Sequence, residues 1–89
     1  MPPKNELAHE FVVDDIELLK VIAHSTRLDI LQSLKHAKTV KEIAKLLKLP
    51  ATKLYYHVNL MEKHGLIQVV ETNVVSGIVE KKYQVVASN

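Results

Sequence analysis

The side chains able to do chemistry in this 89-residue chain are five histidines, twelve lysines and arginines, and a few hydroxyls. None of them stands at a catalytic or metal-binding spacing. The histidines are His9, His24, His36, His57 and His64. His57 and His64 are seven residues apart, which on a helix is too far for one ion, and no histidine–carboxylate set has ligand spacing. Cysteine is absent, which excludes thiol catalysis, cysteine-ligated zinc, iron–sulfur clusters and disulfide scaffolds. Ser25 and Ser33 have no ordered base partner in the sequence, and two glycines cannot build a glycine-rich phosphate loop. No catalytic residue, metal or cofactor is expected, and a chain this short has little room for a substrate cleft.

A different grouping has a clear chemical use. At roughly 100° per residue, Thr52, Tyr55, Tyr56 and Asn59 share one helix face. Leu54, Val58 and Met61 share the opposite face, with His57 at its border as a group for hydrogen bonding between helices. The first set is polar but uncharged, and such side chains hydrogen-bond base edges in a major groove, where threonine also touches a thymine methyl. Cations flank it. Residues 35–64 hold seven basic against two acidic residues, whereas residues 1–34 hold three against six and residues 65–89 balance. This asymmetry, beneath a formal net charge of +2, suits a polyanion at the middle segment. Arg27, Lys41, Lys45, Lys48 and Lys53 are the candidate phosphate contacts, joined by Lys81 and Lys82 farther along. One of the two tyrosines packing against neighbouring structure is an open alternative, because a buried tyrosine needs only one polar partner.

The elements that must hold these residues follow from periodicity. Apolar residues from Asp14 to Ala23 recur at helical spacing, with acidic groups in the first turn. Ser25 or Thr26 caps a second helix bearing Leu28, Ile30, Leu31 and Leu34. After a looser stretch at His36–Lys38, Thr39 caps a short third helix. There Ile43, Ala44, Leu46 and Leu47 face inward, and Lys41, Lys45 and Lys48 outward. Pro50 ends that helix and opens a fourth over residues 51–64, which Gly65 closes. Residues 66–71 and 78–86 are β-branched runs, and Asn73 and Gly77 bracket the turn between them. The fold class is therefore mainly α with a small β-hairpin, in the order helix, helix, helix, helix, strand, strand. Two short helices joined by a tight break and followed by a hairpin form a winged helix-turn-helix.

The segment VKEIAKLLKLPATKLYYHVNLMEKHGLI resembles the bacterial arsenical-resistance-repressor (ArsR-type) winged-helix family, over residues 14–86. HSTRLDIL stands where that family has an aspartate–proline–threonine–arginine segment followed by isoleucine–leucine. Leu54-Tyr55-Tyr56-His57-Val58 matches the end of its recognition helix. EKHGLI matches the entry to the wing, and GIVEKKYQV is similar to a second wing strand. The resemblance implies a prokaryotic transcription regulator that binds double-stranded DNA in a sequence-specific way, with recognition helix 51–64 in the major groove and wing 66–86 beside it. The alternative is a winged helix used for protein–protein contact without DNA, since fold does not fix function. Three departures matter. His24-Ser25 replaces the aspartate–proline pair, so the second helix is capped differently. Lys48 occupies a turn position where glycine is usual, which asks a side chain to sit near the left-handed region. The segment Asn73–Gly77 carries no cation, although wings often place one in the minor groove, which speaks against minor-groove insertion.

Residues 1–13 are expected to be a partly disordered arm, 14–86 the DNA-binding domain and 87–89 a tail. The first helix has apolar residues around much of its circumference. Ile16, Leu19 and Ile22 can face the core, leaving Phe11, Leu18 and Val21 for a two-fold homodimer that would set two recognition helices about 34 Å apart. Residues 11–13 folding back over their own domain is the rival arrangement. With no apolar signal core at its start and no ~20-residue apolar run, the protein is expected in the cytoplasm. The chain stops just past the wing, so a longer parent protein fits as well.

Overall fold

The computed structural model describes residues 16–86. Helices α1 (Ile16–Ile22), α2 (Ser25–Ser33), α3 (Val40–Leu47) and α4 (Ala51–Lys63) precede strands β1 (Ile67–Val75) and β2 (Ile78–Val85), which is the winged helix-turn-helix order. The arm 1–13, the tail 87–89 and Phe11 lie outside the described residues. No helix among those described is long and apolar enough to cross a membrane.

One aliphatic core holds the helices together. Ile30, Leu34, Ile43, Leu54, Val58, Met61 and Ile67 are fully buried, drawn from α2, the turn after it, α3, α4 and β1. The inward stripe Leu54, Val58 and Met61 lies at i, i+4, i+7, the spacing that keeps one face of a helix against a core. Leu49, in the break between α3 and α4, packs against this cluster, and Ala44 is buried within it. Leu28 and Leu46 face outward instead, 48% and 56% exposed. Val40 takes the place expected of Leu46, because Val40, Ile43, Ala44 and Leu47 form the continuous stripe of α3.

Local chemistry sets each helix end. α3 has a full capping box: Glu42 N–H donates to Thr39 Oγ1 (3.1 Å), and Thr39 N–H donates to Glu42 Oε1 (2.8 Å). That second bond holds the Glu42 carboxyl below the ordinary carboxylate value, against a smaller opposing effect of burial. α2 is capped by neither Ser25 nor Thr26. His24 is the cap, its Nδ1 accepting from Thr26 N–H at 3.2 Å. A ring nitrogen two residues before Thr26 accepts the bond that a hydroxyl would have accepted. Lys48 closes α3 at φ 59°, ψ 43°, in the left-handed region, as its place in a glycine-type turn requires. Gly65, at φ 77°, follows α4.

The face of α1 departs from that expected at all but Ile22, which packs against the core. Leu18 and Val21 are buried at 8% and 6% exposure, while Ile16 and Leu19 are 62% and 43% exposed. The two-residue break at Ala23–His24 turns α1 so that Leu18, Val21 and Ile22 meet α2. Arg27 Nη1 donating to the Val21 carbonyl (3.3 Å) fixes that meeting. Leu18 and Val21 therefore belong to their own domain's core rather than to an interface.

The hairpin is longer than its sequence pattern suggests. β1 runs to Val75, Asn73 pairs with Glu80 inside the ladder, and the turn is Ser76-Gly77 alone. Both turn residues have positive φ (52° and 78°), the condition for a type I′ turn whose twist matches its strands. A bulge between Val69 and Glu71 interrupts the register and bends the arm. At its root β2 is pinned to the α2–α3 connection. Lys38 N–H donates to the Tyr83 carbonyl (3.0 Å), and Tyr83 N–H donates to that of Lys38 (2.8 Å). Lys38 Nζ also reaches the Ser33 carbonyl at 2.6 Å. The wing is thus fixed relative to both helices of the helix-turn-helix.

Candidate nucleic-acid interface

Helix α4 presents Thr52, Tyr55, Tyr56 and Asn59 to solvent on one face, as its periodicity predicts. The two tyrosines differ in setting. Tyr55 is 46% exposed and, with Asn59, lines an open groove of about 310 Å³ whose far wall is Ile78–Lys81 of the wing. Tyr56 is 64% exposed and leans the other way, its ring edge-on to His57 at 5.5 Å between centroids. Tyr55 is accordingly the tyrosine turned toward the wing. Tyr83, also on this groove, is buried, and burial followed by the nearby Glu62 raises its phenol above the ordinary value.

His57 is the hinge pin between α4 and α2. Arg27 Nε donates to His57 Nδ1 at 3.0 Å, and the His24 ring lies 4.9 Å from that of His57. Burial, then the charge of Arg27, then His24, lowers the basicity of His57. The guanidinium carbon of Arg27 sits 5.9 Å from the Tyr56 ring centre, within range of a cation–π contact. Arg27 is thereby committed to Val21, His57 and Tyr56. Of the seven cations assigned to phosphate, it is the one drawn inward.

Of the other six, Lys41 and Lys81 line the groove beside Tyr55 and Asn59. Lys45, Lys48 and Lys53 are exposed around the α3–α4 break, and Lys81 is exposed on β2 with Lys82 partly covered beside it. Lys41 Nζ is 3.8 Å from Glu80 Oε2, with 74% of the lysine side chain in solvent. Exposed pairs of this kind contribute little and exchange readily for a stronger anion. The link from Lys38 to Tyr83 had no signal in the sequence beyond a β-branched run. It nevertheless places Lys81 on the same groove as Lys41, while Lys82, next along the strand, points to the other face of the hairpin. Among the described residues no three histidine or carboxylate side chains form a group that could hold a metal ion.

The comparisons agree with the fold. A family described as a helix-turn-helix domain matches residues 22–70, more than half of the chain. No curated protein matches its sequence. Among solved structures, the chain is similar to the transcriptional regulator HlyU from Vibrio vulnificus CMCP6, with a TM-score of 0.67 at 24% identity, over 94% of this chain and 80% of that one. It is also similar to HlyU from Vibrio cholerae N16961, with a TM-score of 0.66 at 24% identity, over 99% and 84%. At that identity the likeness is one of fold.

Proposed function

The chain belongs to the helix-turn-helix domain family, and from that premise we propose that it is a cytoplasmic transcription regulator that binds double-stranded DNA sequence-specifically. α4 lies in the major groove with Thr52, Tyr55, Tyr56 and Asn59 on base edges, and Lys41, Lys45, Lys48, Lys53, Lys81 and Lys82 hold phosphates on either side. The observation that carries this reading is the outer face of α4. It is polar, nearly uncharged, exposed at all four positions, and edged by cations rather than covered by another part of the described chain. A protein-docking helix would be expected to offer an apolar centre there. Arg27 supports the reading face from behind, by fixing His57 and Tyr56.

The assembly that suits this reading is a homodimer through the outer side of α1, where Ile16 and Leu19 are exposed. Two recognition helices would then meet half-sites about one turn, or ~34 Å, apart. Selection of bound duplexes from a random pool tests the function. A short motif, repeated at that spacing, is the expected result. Recovery of no enriched sequence at low salt would count against DNA reading, and a single unrepeated motif against the dimer.

A further inference from the structure

The wing ends on four aliphatic side chains in open solvent. Val74, Val75, Ile78 and Val79 are 69%, 50%, 64% and 57% exposed, and they pair across the strands as Val74 with Val79 and Val75 with Ile78. No charged residue lies between Glu71 and Glu80 in the sequence. Single exposed valines need no explanation, but four together at a protruding end mark a contact surface. The Ser76-Gly77 turn holds them on a fixed backbone rather than a floppy loop, since both residues occupy the positive-φ wells that a two-residue turn demands.

The position of this tip says what covers it. Ile78 and Val79 line the same groove as Tyr55 and Asn59, with Lys41 and Lys81 on that groove too. Ile78 and Val79 therefore adjoin the face that carries the side chains assigned to bases, with Lys41 and Lys81 beside them, and their partners Val75 and Val74 make both faces of the tip aliphatic. A duplex seated on α4 would meet those cations with its backbone and then present its next groove to the tip.

We propose that the wing tip enters the flanking minor groove as an apolar wedge, packing Ile78, Val75 and their neighbours against sugars and a partly opened base step. This rests on the DNA-binding reading above and adds the means of discrimination at the flank. A basic tip follows the potential of a narrow A·T groove, whereas an aliphatic tip has no such pull. Apolar wedges instead favour steps that unstack easily, pyrimidine–purine above all, and kink the duplex by roughly 20–90°.

The test uses the full chain and a selected duplex carrying a dye at each end and 2-aminopurine at the flanking step. Binding of the natural protein should raise both energy transfer and 2-aminopurine fluorescence. Val75→Thr with Ile78→Thr keeps β-branching, and so the strands, but makes the tip polar. This pair should abolish both signals and weaken binding roughly ten-fold, with the salt dependence unchanged because no counterion-releasing charge is lost. Ile78→Leu keeps the wedge and should retain the bend. Binding without bending, or a bend that the threonine pair leaves intact, would overturn the wedge while sparing the major-groove reading. Absence of any duplex binding would overturn both. If the threonine pair dissociates a dimer of the free protein without touching the bend, the tip is covered by a second copy and the proposal fails.

Discussion

His57 joins α4 to α2 through one hydrogen bond whose direction is chemically fixed. Arg27 is always the donor, so His57 Nδ1 must keep its lone pair. Protonation would break that bond and set two cations against each other, with His24 alongside. Burial and these neighbours hold the folded value below the ordinary 6.5. A histidine so lowered contributes stability above its unfolded value and loses it as the pH falls through the folded one. Unfolding free energy should thus be flat above neutrality and decline below about pH 6.5. His57→Gln, which keeps an acceptor, should decline less when denaturant melts at pH 7.5 and 5 are compared. Equal declines in both proteins would remove His57 from the acid response. Lys48 is the other residue under local constraint. Its left-handed conformation costs a side chain about 1–2 kcal/mol, part of which glycine recovers. Lys48→Gly should therefore raise stability by up to about 1 kcal/mol and Lys48→Val should lower it, as read by urea melts.

Among the elements, α3 depends most on its end. It is about two turns long, and its capping box satisfies donors at Thr39 and Glu42 together. Thr39→Ala should cost about 1 kcal/mol of stability; a loss of only a few tenths would mean that water replaces the cap freely. The same helix shows which parts of the fold were legible in the sequence. Thr39, Pro50 and Gly65 mark ends by backbone chemistry that acts locally, and Leu54, Val58 and Met61 mark a face by spacing. What depends on packing between distant segments was not legible. α1 offers two adjacent apolar faces, and only its angle to α2 selects Leu18 and Val21 over Ile16 and Leu19. The contact of Lys38 with Tyr83 joins residues 45 apart through backbone atoms, which leave no mark in side-chain pattern. Asn73 suggested a turn by type, but register carried the strand past it to Val75. At the site the four polar residues of α4 were legible as a face. The inward commitment of Arg27 was not, because a cation's partner is decided in three dimensions.

At the scale of the molecule, charge and shape act together. The acidic excess of residues 1–34 lies apart in sequence from the lysines around the α3–α4 break, so a polyanion has one favoured segment to approach. Binding should weaken steeply with salt, and Lys45→Ala, Lys48→Ala or Lys53→Ala should each flatten the log–log slope by roughly 0.9. Arg27→Ala should leave that slope nearly unchanged and lower thermal stability instead, reflecting its bonds to Val21 and His57. A slope insensitive to all three lysines would remove phosphate from the picture.

The most direct test of base reading by α4 compares the motifs selected by the natural protein, Thr52→Ala and Tyr56→Ala from one random duplex pool. Each variant should lose preference at particular base pairs, at a cost of roughly 1–3 kcal/mol on the best site, with non-specific affinity barely altered. A uniform loss on every sequence, accompanied by a lower melting temperature, would contradict base reading and assign these side chains to the stability of the fold.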